Sequence, residues 1–312
     1  MDSAQILVYD IRETTDTGTG GLMKNTYIDF HTHTIQSDGA FRPMEVCRKA
    51  QEAGIGILSI TDHNYTEDLT ELRHAYPQLQ LIQGSEISCL YTNSQGKETE
   101  LHVIALGIDP NNPKIQRVFA QNQPDRQPYI DAILDRLRQC GIDLGCYREL
   151  RQLYSTRRHF GRMDLARLMT DRGYTQSVEH AFDEYLGGHG KRRAFVPNRL
   201  RYVSMEEAVE AVMDAGGVAV LAHLYYYLLS DAENAELLSY FKSLTGNRGG
   251  MEVFYSLYDR ERRMQLKALA DEYGLMYSAA SDFHGQSGDE TLENRFAAED
   301  CSALLEFLGL RQ

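Results

Sequence analysis

From position 27 onward the chain alternates short apolar runs with amphipathic helical stretches. The apolar runs cover 27–30 (YIDF), 55–60 (IGILSI), 79–83, 101–106, 218–222 (VAVLA), 251–255 and 275–281. Between them lie helical patterns with recognisable ends. The stretch 43–53 has Pro43 in its first turn and Gly54 past its end. The stretch 204–215 opens on Ser204 and Glu207 at capping-box spacing and stops at Gly216 and Gly217. The stretch 259–273 stops at Gly274. About seven strands alternating with helices predict an α/β domain built on a parallel sheet or barrel.

Residues 111–198 break the alternation. They are rich in Arg and Gln at helical spacing and poor in strand-like runs, with Pro110, Pro113, Pro124 and Pro128 at the entry and Pro197 at the exit. The chain therefore divides into a barrel domain (27–110 and 199–312), a helical insertion after the fourth strand (111–198) and a peripheral extension (1–26). In the extension, 5–9 reads as a short strand and 14–21 as a linker of small polar residues. Arg157, Arg158, Arg162, Arg167, Lys191, Arg192 and Arg193 gather local positive charge in the insertion. A solvated helix face and an anion-binding face are both readings of such a run.

Composition narrows the classes. A chain of 312 residues suits one large domain carrying an insertion. With 42% hydrophobic residues it has enough apolar material to fold. A net charge of -13 argues against duplex nucleic acid as partner, which requires a broad basic surface. A small phosphate ester stays open if metal ions and a few arginines supply positive charge locally. No run of about 18 apolar residues occurs, so no membrane span is expected. The five scattered cysteines and the absence of a leader pattern predict reduced thiols and a cytoplasmic location.

The chemistry lies at the strand ends. After the first strand come His31, His33 and Asp38; after the second, His63; after the third, Glu86. The fourth carries His102 near its start, the fifth is followed by His223, and the last by Asp282 and His284. Six of the ten histidines fall in this set; His74, His159, His180 and His189 read as ordinary hydrogen-bonded or surface residues. In a parallel barrel the strand C-termini converge on one mouth. A His-x-His pair at a strand end turns both rings to one side, and with a carboxylate it can hold a divalent cation. Each element alone is weak, because a lone His-x-His arises by chance. Nine ligand-type residues on six strands are too many for one ion and suit two or three ions sharing ligands.

These residues resemble the PHP family, the polymerase and histidinol phosphatase superfamily of metal-dependent phosphoesterases. The stretches that carry the resemblance are HTHTIQSDG (31–39), TDHN (61–64), GSEIS (84–88), LHVIALGI (101–108), GGVAVLAH (216–223), GMEVFY (250–255) and SDFHG (281–285). Length and insertion are similar to the stand-alone bacterial branch that acts on nucleoside 3′,5′-bisphosphates, nucleoside monophosphates or short RNA 5′ ends. The resemblance implies a distorted (β/α)7 TIM-like barrel with a trinuclear site. It implies His31, His33, Asp38, His63, Glu86, His102, His223, Asp282 and His284 as ligands to Mn, Fe or Zn, with Glu86 bridging and Asp282 a second candidate bridge. Asp38, His63, Glu86 and Asp282 are the expected catalytic positions, and Arg162 and Arg158 the expected substrate contacts. Arg162 sits in GRMDLARLM (161–169), similar to the branch's Gly-Arg-x-His-x-Ala motif, but Asp164 replaces the histidine. AHLY (222–225) departs from the usual Ala-His-Pro, and Asn64 stands where Asp is common.

The expected activity is hydrolysis of a phosphomonoester on a small nucleotide. Alternatives are histidinol phosphate hydrolysis, 5′-3′ exoribonuclease action on short RNA, and a non-enzymatic binding module with structural metals. An amidohydrolase also begins with His-x-His but needs a metal-bridging Lys after a middle strand, where this chain offers His102.

Overall fold

The computed structural model describes residues 26–123, 126–154, 160–197, 202–285, 292 and 296–310. The expected strand at 5–9, the linker at 14–21, and Arg157, Arg158 and His159 lie outside the described residues.

Eight strands form one sheet: β1 (Tyr27–Thr32), β2 (Ile55–Ile60), β3 (Gln80–Thr92), β4 (Glu98–Leu106), β5 (Val203–Ser204), β6 (Val218–Leu221), β7 (Gly249–Tyr255) and β8 (Met276–Ala280). Their order is β1-β2-β3-β4-β6-β7-β8, with the two-residue β5 beside β3. Seven of these strands match the apolar runs. The segment after β8 returns to β1: the Asp282 N–H donates to the His31 carbonyl and the His33 N–H to the Phe283 carbonyl, both at 2.9 Å.

The sheet differs from the expected parallel arrangement at one strand. β4 runs antiparallel to both β3 and β6, while the other pairs are parallel. β3 is also longer than its apolar run. It continues through Gly84 and Ser85 because β4 pairs with it from Gly84 to Thr92. Glu86 therefore sits inside a strand, not after one.

The strands are apolar on both faces, which is why they read as continuous runs. Ile28 and Phe30 of β1, Ile57 of β2, Ile104 of β4, Val220 of β6 and Ala279 of β8 meet in one inner cluster. The other face packs under helices: Leu58 and Ile60 meet Val46, Cys47 and Ala50 of α1 (Pro43–Glu52). A fully buried Ile or Leu contributes roughly 1.5–3 kcal/mol relative to exposure, so this double layer dominates stability.

After α2 (Thr70–Ala75), five α-helices among the described residues occupy the interval between β4 and β5: α3 (Pro113–Gln121), α4 (Gln127–Gln139), α5 (Tyr147–Leu153), α6 (Arg162–Asp171) and α7 (Val178–Ala181), the last continued by a π-helical turn, Phe182–Leu186. Ile115, Val118 and Phe119 of α3 join the core beside the sheet. Residues of α4 to α7 make a separate core around Ile130, Leu134, Leu165 and Met169. Asn122 holds the junction. Its amide donates to Asn64 Oδ1 and the Ser88 carbonyl, each at 2.7 Å, and accepts the Val203 N–H at 3.0 Å.

Among the described residues four α-helices follow: α8 (Met205–Asp214), α9 (Asp231–Thr245), α10 (Arg260–Tyr273) and α11 (Ser302–Phe307). The capping box of α8 is present, with Ser204 Oγ accepting the Glu207 N–H at 3.2 Å and Glu207 accepting the Ser204 N–H at 2.9 Å. Gly274 ends α10 at φ 62°, a left-handed conformation that strains other residues. Leu304 and Leu305 of α11 close over the inner cluster. Among the described residues no helix is long and apolar enough to cross a membrane.

Candidate active site

All nine expected residues meet at one end of the sheet. β1 carries His31 and ends beside His33; His63 follows β2, His223 follows β6, and Asp282 and His284 follow β8. The reversal of β4 explains His102. Its position near the start of an antiparallel strand lies at the same end as the C-termini of the parallel ones, and it pairs with Ser88, two residues beyond Glu86.

The turn after β1 is built to present Asp38. The buried Asp62 carboxylate accepts the Thr34 N–H at 2.8 Å, the Thr34 hydroxyl at 2.6 Å and the Ser37 hydroxyl at 2.5 Å. Gly39 is required by close approach, since a Cβ there would lie 2.5 Å from the His33 carbonyl oxygen. Arg167 of α6 donates to the Asp38 carbonyl at 2.6 Å, tying the insertion to this turn. Backbone strain collects at the same place. Asn64 (φ 50°), His223 (φ 26°) and Asp282 (φ 55°) are three of the five non-glycine residues at positive φ among those described.

Glu86 is the centre. Its Oε2 lies 3.3 Å from His31 Nε2, 3.2 Å from His33 Nε2 and 3.1 Å from His63 Nδ1. Its Oε1 lies 2.7 Å from His102 Nδ1 and 3.1 Å from His223 Nε2. Asp282 Oδ1 faces His31, His33 and His284 at 3.3, 3.2 and 3.5 Å. Asp38 faces His284 at 3.2 Å and His33 and His63 at 3.6 Å each.

The electrostatics follow from this packing. Burial works against the Glu86 carboxylate, yet the fields of His63, His102 and His31 hold it well below the usual range. Burial likewise opposes charge on His33, but hydrogen bonds to Asp282 and Glu86 raise it to about 10. His102 is raised to about 10 in the same way, against burial, chiefly by Glu86.

The donor set fits divalent cations. His31 Nε2 and His33 Nε2 lie 2.9 Å apart, both buried. Two imidazole lone pairs face each other at that distance only with a proton or a cation between them. His63 Nδ1 is buried and close to Glu86 but is not aligned for a hydrogen bond. Three groups have ligand atoms mutually within 4.8 Å: His33, Asp38, His63 and His284; His31, His33 and Asp282; and His63, Glu86 and His102. Shared membership of His33 and His63 matches an arrangement of several ions.

Several contributors were not among the expected residues. Glu252 of β7 faces His31 Nδ1 at 2.6 Å and accepts the His223 N–H at 2.6 Å. The sequence signal was a carboxylate inside the apolar run 251–255, a position that demands a buried partner. Asp29 accepts the His31 and Ser281 N–H groups, and burial raises its carboxyl to about 7. Tyr255 donates to Asp282 Oδ2 at 2.7 Å. Asn64 is a structural tie, accepting the Ser88 N–H at 3.1 Å. Asp164, where the resembling motif has His, caps α6 by accepting the Gly161 N–H at 2.8 Å. His74 and His189 are exposed, and His180 accepts the Gln176 N–H, all outside these groups.

The cluster opens onto a cavity of about 520 Å³, within the range of small-molecule sites. Its lining joins Asp38, His63, Glu86 and Asp282 to Arg126 and Arg162. Among the described residues the Arg126 Nε is buried without a hydrogen-bond partner, and Arg162 donates to the Leu186 carbonyl at 3.4 Å and lies over the Phe182 ring at 6.0 Å. A closed structural metal site would not present such an opening.

The sequence model of the PHP domain matches residues 29–256. The chain belongs to the PHP family. Among curated PHP relatives it is 33% identical over 263 residues to the 5′-3′ exoribonuclease Rnm of Escherichia coli K12, covering 82% of this chain and 84% of that one. It is 30% identical over 276 residues to a 3′,5′-nucleoside bisphosphate phosphatase of Chromobacterium violaceum, covering 84% and 89%. A solved structure described as an amidohydrolase from Chromobacterium violaceum, with bound sulfate and no metal, superposes with a TM-score of 0.78 at 26% identity, covering 91% of this chain and 96% of that one. This PHP protein is thus a metal-dependent phosphoric ester hydrolase, and the reading as a non-enzymatic binding module falls away.

Proposed function

We propose that the protein hydrolyses a phosphomonoester of a small nucleotide, a nucleoside 3′,5′-bisphosphate or monophosphate. The observation that carries this reading is the single cavity lined by both the carboxylate–imidazole cluster and two guanidinium groups, Arg126 and Arg162. In this reading the sheet is a distorted (β/α)7 barrel and the helices within 111–198 are its cap.

The nine residues His31, His33, Asp38, His63, Glu86, His102, His223, Asp282 and His284 would hold two or three Mn, Fe or Zn ions, with Glu86 and Asp282 shared. When bound, such ions acidify water toward neutral pH and offset phosphoryl negative charge. The protein's own groups do the rest. Glu252 keeps the His31 proton on Nδ1 and so turns the Nε2 lone pair toward the cluster. Arg162 presents a planar fork to phosphoryl oxygens, and Arg126 adds a second positive charge from the cap side. Asp38, His63, Glu86 and Asp282 line the cavity around the reacting phosphoryl group.

A second reading, cleavage at the 5′ end of short RNA, is favoured by the name of the Escherichia coli relative. The test is phosphate and nucleotide release by the manganese-loaded protein, with His31→Ala as control. The panel is adenosine 3′,5′-bisphosphate, adenosine 5′-monophosphate, histidinol phosphate and a 5′-phosphorylated oligoribonucleotide. Preference for the bisphosphate or monophosphate supports the proposal. Preference for the oligonucleotide or histidinol phosphate overturns it in favour of that substrate.

A further inference from the structure

We propose that Tyr226 is a stacking platform for the nucleobase of the substrate. The inference rests on the nucleotide reading above and adds the element that distinguishes a nucleotide from any other phosphate ester.

The local sequence is AHLYYYLL, residues 222–229. After β6 the backbone turns sharply at His223 and winds one 3₁₀ turn, Leu224–Tyr227, which Leu228 ends at φ 52°. Each side chain of that turn has a different fate. Leu224 is buried in the core beside the sheet. The Tyr225 ring packs against Tyr258 at 5.5 Å between centroids, and its hydroxyl donates to Gln265 Oε1 at 3.4 Å. The Tyr227 hydroxyl accepts the His102 N–H at 2.9 Å. Tyr226 is 56% exposed and lines the cavity that holds the cluster.

The ring is exposed yet supported. Tyr255 meets it edge-on at 5.9 Å between centroids and Tyr258 lies tilted at 6.1 Å. His223 approaches at 5.5 Å. Tyr255 is itself fixed by its bond to Asp282 and its contact with Tyr258 at 4.7 Å. A ring backed in this way loses little freedom on binding, while its outer part remains available. An aromatic of this size left half in water at the lining of a polar, metal-type site has no packing role to fill. A planar heteroaromatic ring joined through a sugar to the phosphoryl group is the chemistry it suits. Stacking uses the π face that every base possesses, so it gives tolerance among bases and discrimination against esters that lack one.

The test compares adenosine 5′-monophosphate with ribose 5-phosphate on the manganese-loaded protein. The two share phosphoryl group and sugar and differ in the base. Tyr226→Ala is expected to raise KM for the nucleotide about ten-fold relative to ribose 5-phosphate. Tyr226→Trp keeps a stacking ring and should keep the preference. Because the chain contains no Trp, that variant carries a single indole, excited selectively at wavelengths above the tyrosine band, whose emission should be quenched by the nucleotide and not by ribose 5-phosphate. An equal change of both KM values in Tyr226→Ala, or emission unmoved by saturating nucleotide, overturns the platform. Failure of the wild-type protein to release phosphate from either compound and from adenosine 3′,5′-bisphosphate overturns the functional reading instead, and the platform is then judged by the emission alone.

Discussion

Glu252 and His31, on non-adjacent strands, form a buried pair with Oε1 2.6 Å from Nδ1. The carboxylate accepts from Nδ1 and leaves Nε2 facing Glu86 and Asp282. The same carboxylate accepts the His223 backbone N–H, so one side chain orients one imidazole and ties down the backbone of a second histidine.

Glu252→Gln should therefore weaken metal binding while leaving the fold intact. Loss of such a supporting partner typically lowers metal affinity about 10- to 100-fold. Equilibrium dialysis against metal buffers, with circular dichroism as the fold control, measures it. Unchanged affinity would remove Glu252 from the orientation of His31.

Metal uptake should release protons. With His33 and His102 both raised to about 10, these imidazoles carry protons at neutral pH in the metal-free protein. A cation must displace them, so apparent affinity rises with pH up to about that value. Calorimetric titration of the chelated protein in buffers of different ionisation heat counts the protons. Zero release at pH 7 would contradict the raised values.

Arg162→Ala should lower kcat/KM by about 10- to 100-fold with bound metal unchanged, the range for losing a hydrogen bond to a charged group. Steady-state kinetics and metal analysis of the same sample separate the two effects. A loss of metal in parallel would make Arg162 a structural residue of the helical insertion.

Ser204→Ala removes the side-chain cap of α8 and should cost about 1 kcal/mol. Thermal unfolding should show Tm lowered by a few degrees (about 2–4 °C per kcal/mol for large domains). Phosphate release at 25 °C should be unaffected, because the cap lies outside the cavity lining.

Much of this was legible in the chain. The nine site residues stood out because His and carboxylates after apolar runs have no packing purpose, and all nine converge. The direction of β4 was not legible, because an apolar run reads the same in both directions. Only the pairing of Gly84 to Leu106 through Thr92 to Glu98 reveals it. Glu252 was hidden inside a run whose hydrophobic neighbours made it look like ordinary strand. Asp164 registered as a missing histidine, while its carboxylate accepts the N–H of Gly161, the residue that caps α6, a helix-end requirement that no motif comparison expresses. Tyr226 sits among three consecutive tyrosines, and sequence cannot tell which of them faces out.

Asn122 receives the chain leaving the sheet and, through its own side chain, the chain coming back at Val203. Departure and return are thus pinned to one point. Helices α4 to α7, which pack around a core of their own, leave and rejoin the sheet at that point. In the proposed reading the helices that would meet the leaving group are then free to diversify while the sheet that carries the ligand cluster keeps its frame.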